Sequence, residues 1–281
     1  MKSPLNILLV PNPFRDLGLK TTAAAAEVLS SAGATVACTE RLSDYPVMSP
    51  EEGVAWADVA VVFGGDGTIL RFSHCASPRN LPILGINCGN LGYMAEQSGT
   101  PESLVRLLSG DYSVEDRMML SVCVIRAGET VLSAECLNDA VISYGQLPHL
   151  VTFELSERGK PFATYNADGM VFATPTGSTA YSLSAGGPIL DPLLRAIVAT
   201  PVCAHSLTSR PMVFSADADL SLRIGSQKKG EAYLTLDGDC NFPLCENDRV
   251  CVFASSRTTR LIRFTHVPFG TVLASKLNNN N

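Results

Sequence analysis

A short loop of glycines around one carboxylate is the part of this chain best suited to chemistry. Residues 64–68 read Gly-Gly-Asp-Gly-Thr, directly after the apolar run Val59-Ala60-Val61-Val62-Phe63. The run reads as a buried strand, and Ile69-Leu70 with Phe72 signal a helix beyond the loop. Glycine lets a backbone turn sharply and lets a ligand approach with no Cβ in the way. Amides at a helix start suit anionic groups such as phosphates. A bare phosphate is partly repelled by a carboxylate, so Asp66 has another job. It holds a Mg²⁺ that carries phosphate, takes a proton from a hydroxyl, or simply caps the helix or an Asx-turn. The pentapeptide leaves these readings open. No Gly-Lys-Ser/Thr ending follows, and the spaced-glycine dinucleotide fingerprint is absent. Gly64, Gly65, Gly67 and Thr68 therefore form a phosphate-compatible loop outside the two commonest classes.

A second stretch adds a different chemistry. Residues 168–188 read Asp-Gly-Met-Val-Phe-Ala-Thr-Pro-Thr-Gly-Ser-Thr-Ala-Tyr-Ser-Leu-Ser-Ala-Gly-Gly-Pro. Hydroxyls, a proline and a glycine share one turn over residues 174–178. Short hydroxyl side chains offer donors and acceptors close to the backbone, which suits a ligand with sugar hydroxyls. A Ser/Thr-rich surface loop is the plainer alternative for such a stretch.

With these motifs in view, the chain resembles the NAD kinases. Residues 64–68, Gly85-Ile86-Asn87, Asn138-Asp139, residues 168–188 and His205-Ser206-Leu207 followed by Arg210-Pro211 occur in that family's order and spacing. The resemblance runs from about Val59 to about Asp239. It implies transfer of a phosphoryl group from ATP or polyphosphate to the 2′-hydroxyl of the adenosine ribose of NAD, with Mg²⁺ or another divalent cation arriving on the nucleotide. No tightly bound metal is expected. Asp66 matches the family's essential aspartate, with a role as proton acceptor, and Gly67 and Arg71 match ligand positions. Asn138-Asp139 stands where most members have Asn-Glu, a pair that would hold two ribose hydroxyls. Thr179, Ala180, Tyr181, Ser182, Leu183 and Ser184 match the segment that contacts the dinucleotide. His149, Asp168 and Cys203 also fall on binding positions. Asn166 replaces what is often a basic residue, and Asp239 stands where an amide or acid is usual; both departures bear on the choice between NAD and NADH. A kinase sharing the glycine-aspartate loop but acting on a lipid or sugar, and a non-catalytic dinucleotide sensor, are the competing readings. The family also implies a homodimer or homotetramer.

Composition agrees with a cytoplasmic enzyme. At 281 residues, with 46% apolar and 17% charged side chains, the chain can hold two domains with ample core. Its net charge of −6 makes it a poor general binder of nucleic acid or anionic membrane. The nine cysteines show no Cys-x-x-Cys and no zinc spacing, and read as small buried hydrophobes kept reduced. No secretory signal and no apolar run long enough for a bilayer is visible.

The elements that must position these residues alternate at first. Asn6-Ile7-Leu8-Leu9-Val10 is a short strand, and residues 19–31 form a helix ended by Gly33. Residues 35–38, 58–63 and 82–86 are further strands, with 58–63 followed by the loop and a helix to about Ser77. Thr100 reads as the N-cap of a helix over residues 101–108 with Pro101 at its first position. This predicts a Rossmann-like α/β domain with a parallel sheet over residues 1–110, the loop lying at a strand's carboxyl end. From Tyr112 the pattern alternates in short runs at 121–126, 131–136, 151–156, 220–224, 249–253 and 261–264. That predicts a mostly antiparallel β domain over residues 111–265. By the resemblance, residues 266–281 return to the first domain.

Overall fold

The computed structural model describes residues 4–89, 92–96, 100–144, 151–205, 209–225 and 232–278. The chain forms two compact units, Met1–Asp116 with Arg257–Asn281, and Arg117–Ser256.

The first unit alternates strand and helix: β1 (Asn6–Pro11), α1 (Lys20–Ser31), β2 (Thr35–Cys38), α2 (Pro50–Trp56), β3 (Val59–Gly64), α3 (Asp66–Ala76), β4 (Ile83–Asn87) and α4 (Arg106–Ser109). The strand order β2-β1-β3-β4 is parallel throughout. All six residues of β3 are buried, as a strand covered on both faces requires. The chain leaves β1 toward β2 on one side and returns as β3 on the other. The carboxyl ends of β1 and β3 therefore flank the sheet's switch point, where open α/β sheets bind ligands.

The second unit is antiparallel. Along the chain run β5 (Ser113–Arg126), β6 (Glu129–Cys136), β7 (Asp139–Tyr144), β8 (Val151–Glu157), β9 (Lys160–Ala167), β10 (Gly169–Ala173), α5 (Tyr181–Ser184), β11 (Ala196–Val202), β12 (Met212–Ser215), β13 (Leu220–Ile224), β14 (Ala232–Leu236), β15 (Cys240–Leu244) and β16 (Arg249–Arg263). One sheet runs β12-β11-β10-β7-β14-β15. In the other, β13 lies between β8 and the start of β16. Leu120, Phe153, Phe172, Leu222 and Val252 are fully buried in this unit's core. β16 reaches the first unit's sheet, where Leu261 pairs with Ile83, and α6 (Phe269–Asn278) follows it.

Several local expectations change. The strands expected at 249–253 and 261–264 are one continuous strand, β16. Its middle, Ser255-Ser256-Arg257-Thr258, is polar, and that broke the apolar pattern without breaking the pairing. The helix at 101–108 is a 3₁₀ turn followed by one α turn, and Thr100 stands at its cap position without a side-chain bond. Among the described cysteines only Cys38 and Cys136 are buried; Cys75, Cys88, Cys123 and Cys251 are half-buried, and Cys203 and Cys245 are exposed. Among the described residues no helix is long and apolar enough to cross a membrane.

Helix α1 begins at Lys20 because Leu19 is left-handed, with φ 53°. Its orphan amides are served by Asp16, whose buried carboxylate accepts from Thr21 N at 3.0 Å, Thr22 N at 2.9 Å and Thr22 Oγ1 at 2.6 Å. Burial pushes the Asp16 carboxyl up, yet the bonds from Thr22 and Thr21 prevail and hold it below its usual value. Its contribution is therefore complete above the ordinary aspartate range and lost as pH falls through the lowered value. Asp16→Ala is expected to cost about 1–2 kcal/mol in denaturant melts at pH 7, with the deficit narrowing toward pH 3. A constant deficit over that range would contradict the capping account.

Candidate active site

In the first unit, the ends of β1, β3 and β4 surround a cavity of about 340 Å³. Asn12 and Arg15 come from the chain after β1, Gly65, Asp66, Gly67 and Thr68 from the start of α3, and Asn87 from the end of β4. Arg71, one helical turn beyond Thr68, and Lys276 of α6 complete the cationic part of the wall. Asp66 and Gly67 open α3 and line this space, and amides in a helix's first turn have no intrahelical acceptor. Asn12 Nδ2 donates to Thr68 Oγ1 at 2.9 Å, tying β1 to the loop.

Asp66 is not a helix cap. The N-cap is Gly65, and no side-chain cap bond is made there. The carboxylate reaches out of its helix instead. Its Oδ2 accepts from Tyr93 N at 2.7 Å and its Oδ1 from Met94 N at 3.0 Å. Gly92 is glycine for this contact, since a Cβ there would overlap Asp66 Oδ1. The Met94 carbonyl accepts from Arg263 Nη1 at 2.6 Å, and Glu96 N donates to Gly85 O at 2.8 Å. Both carboxylate oxygens thus have fixed directions while retaining lone pairs for a ligand.

The loop glycines serve for another reason than sharp turning. None of Gly64, Gly65 and Gly67 has a left-handed φ. Gly65 is extended, with φ −109° and ψ −173°. A Cβ on Gly64 would collide with Thr68 Oγ1, whereas one on Gly65 or Gly67 would point into open space. At 65 and 67 the missing side chain keeps the cavity clear and relieves no strain. Among the described residues no group of three or more His, Cys, Asp or Glu side chains could hold a metal. The single carboxylate of Asp66 fits a hard cation that brings water and phosphate oxygens as its remaining ligands.

In the second unit, the Asn138-Asp139 pair and the hydroxyl-rich turn come together. Thr174 N donates to Asn138 O at 2.9 Å, and Thr174 Oγ1 donates to Leu137 O at 2.6 Å. Gly177 must lack a Cβ, which would overlap the Asn138 carbonyl. The hydroxyls expected to meet a ligand are largely consumed by this latch. Thr174, Thr176, Ser178 and Ser182 are buried. Ser178 Oγ donates to Pro175 O and accepts from Leu190 N, and Ser182 Oγ pairs with Thr200 Oγ1. Ser182, expected among the ligand contacts, is buried with its hydroxyl on Thr200. Tyr181, 45% exposed, and Ser184 present their side chains to solvent, while Thr179, Ala180 and Leu183 are half-buried.

Asp237 is the residue that motif reading missed. It adopts φ 51° in the turn after β14, and its carboxylate accepts from Leu137 N and Asn138 N, both at 2.7 Å, and Asp139 N at 3.1 Å. Asp237-Gly238 reads as a turn dipeptide, and nothing local says what its side chain grips. Asp139, only 6% exposed, has its carboxyl pushed up to about 7 by burial and then by the Asp237 charge. Asp239 is exposed at the same turn.

A third group lies beside β9 and β11. Asp168 N donates to Val202 O at 3.0 Å and His205 N to Asn166 O at 3.0 Å, which brings Asn166, Asp168 and Cys203 together. Cys203, left-handed at φ 49°, lines a cavity of about 440 Å³ with His205 and Arg210. His149 lies outside the described residues.

With the geometry in place, family models match both units: the ATP-NAD kinase N-terminal domain over residues 9–112 and the ATP-NAD kinase C-terminal domain over residues 137–264. The chain belongs to the NAD kinase family. An NAD kinase of Symbiobacterium thermophilum is 40% identical over 277 residues, covering 96% of this chain and 97% of that one. One from Geobacter sulfurreducens is 42% identical over 81% of each chain. A yeast NADH kinase complexed with NADH has the same fold, with a TM-score of 0.82 at 23% identity over 100% of this chain and 89% of that one. An NAD kinase from Archaeoglobus fulgidus in complex with ATP gives 0.74 at 22% identity over 98% and 99%. The NAD kinase fold thus accounts for the parallel and the antiparallel unit alike.

The raised Asp139 carboxyl has a measurable sign. Between about pH 4 and 7 the native chain keeps a proton that the unfolded chain has released, so stability falls as pH rises through that window and stays low above it. Asp139→Asn cannot charge. Denaturant melts of the wild type should lose stability from pH 5 to pH 8 while the variant does not, leaving the variant ahead by about 1 kcal/mol or more at pH 8. Parallel pH profiles would rule out a buried, titrating Asp139.

Proposed function

We propose that this NAD kinase family member transfers the terminal phosphoryl group of ATP to the 2′-hydroxyl of the adenosine ribose of NAD, giving NADP and ADP. The observation that carries this reading is the fixed Asp66 carboxylate in a glycine-walled, cation-bearing cavity at the switch point of the first unit's sheet. The relatives that cover nearly the whole chain supply the acceptor's identity.

Phosphoryl transfer needs alignment, charge neutralisation and a destination for the hydroxyl proton. The ribose oxygen bonds to the γ-phosphorus as the bond to the bridging oxygen breaks, and ADP departs with that oxygen. Asp66 takes the hydroxyl proton, worth roughly 10²–10⁴-fold as general-base catalysis. The free amides at the start of α3 and the Arg71 guanidinium receive phosphate oxygens. Asp66 would be the protein oxygen ligand of a Mg²⁺ borne on the nucleotide, which would neutralise further phosphate charge. Asn138 and Asp139 receive the ribose hydroxyls, with Asp237 holding the backbone that carries them. Asp139 can both donate and accept when protonated, a capacity an ionised carboxylate lacks.

Two substitutions test the division of labour. Asp66→Asn preserves size but removes the proton acceptor; turnover should fall by about 10² or more with NAD affinity changed far less. Near-normal turnover would reduce Asp66 to a clasp for residues 93 and 94. Gly65→Val suits the extended backbone at that position, where a Cβ has no neighbour within 4 Å, so the melting profile should be unchanged. In calorimetric titrations ATP binding should weaken about tenfold or more while NAD binding is retained. Equal losses for both ligands, or neither, would break the assignment of phosphates to this loop.

A further inference from the structure

Lys276 takes no part in the mechanism above, yet it lies in the wall of the Asp66 cavity. It comes from α6, about two hundred residues along the chain from the glycine loop. Its ammonium lies over the Tyr93 ring, 4.0 Å from the centroid. The same ring is 6.4 Å from the Phe269 ring at the other end of α6, so Tyr93 seats this helix against the loop. Tyr93 is also the residue whose amide holds Asp66 Oδ2. Among the described residues Lys276 has no carboxylate partner, and it is half-buried.

A lysine placed only for helix stability would face solvent near the helix end and interact with the dipole there. Lys276 stands in the last turn of α6, yet its ammonium rests on a ring face at the wall of a polar cavity. That is a weak resting place for an ammonium compared with a charge-assisted bond to a phosphate oxygen. Its four-carbon stem lets the ammonium shift by a few ångströms without moving α6. Arg71 and the first residues of α3 line the same space.

We propose that Lys276 is a donor-phosphate ligand: its ammonium leaves the Tyr93 ring for the polyphosphate of the nucleotide, so that α6 supplies part of the donor site. The proposal rests on the reading that this cavity receives the donor's phosphates. The chemistry recognised is the polyphosphate chain, not the base, so inorganic tripolyphosphate should be bound through the same residue as ATP.

The test is calorimetric titration of Mg-ATP, tripolyphosphate and NAD into the full chain, in the wild type and in Lys276→Met and Lys276→Arg. Methionine keeps an apolar stem against Tyr93 and loses the charge. Lys276→Met should bind ATP and tripolyphosphate about tenfold more weakly, with NAD affinity within about twofold, and the deficit should shrink in high salt as screened charges do. Lys276→Arg should recover most of the loss. Unchanged ATP and tripolyphosphate binding in Lys276→Met overturns the proposal, as does an equal loss of NAD binding, which marks a prop for the loop. Failure of Arg to rescue overturns it too. A wild type that binds neither ATP nor tripolyphosphate overturns the cavity reading itself, a distinct result because it needs no variant.

Discussion

The grip of two backbone amides on the Asp66 carboxylate is the contact around which the first unit's site is organised. It joins the start of α3 to residues 92–94, and it forces glycine at 92. The chain beyond is held in turn, since Arg263 binds the Met94 carbonyl while its Nε pairs with Glu115 at 2.9 Å. A carboxylate fixed in this way cannot rotate freely, so the direction of its remaining lone pairs is set before any ligand arrives. Preorganisation of this kind carries its cost in folding and leaves less to be ordered in the reaction.

The second unit reaches the same end by a different route. There the Asn138-Asp139 pair sits at a strand start whose amides are gathered by a single carboxylate, Asp237, and whose carbonyls are taken by Thr174. The turn rich in serine and threonine is mostly scaffolding for that strand start. Its outward side chains are few, and Tyr181 is the large one among them. Burying Asp139 beside Asp237 costs charge stability, a local frustration of the sort that concentrates at sites built for ligands.

Much of this was legible in the sequence. The apolar run before residue 64 is a fully buried strand, and the carboxyl-end position of its loop follows from strand and helix alternation. The motif spacing reaches Asn138, Asp139 and the 168–188 segment. What escaped was what depends on side-chain direction across long separations. Asp237 reads as a turn residue, Lys276 belongs to no motif, and the pentapeptide alone leaves a cap among the readings of Asp66, because short-range patterns report a residue's own element and not the one it touches. The glycines illustrate the same gap: their identity showed a special requirement, but whether it was torsion or space came only with the coordinates. Likewise β16 is one strand because its partners continue, although its central residues are polar.

The Arg263 to Met94 bond closes a span of 169 residues. A ribosome adding about 5–20 residues per second needs roughly ten to thirty seconds to cover that distance. During this interval the sheet through β4 can already form, since its strands are all made early. Arg263 and Lys276, which brace the 93–94 loop from later in the chain, are still missing. The growing chain thus carries a formed glycine loop with a carboxylate whose final support has yet to be synthesised, and the fixed Asp66 geometry is one of the last features of the first unit to be completed.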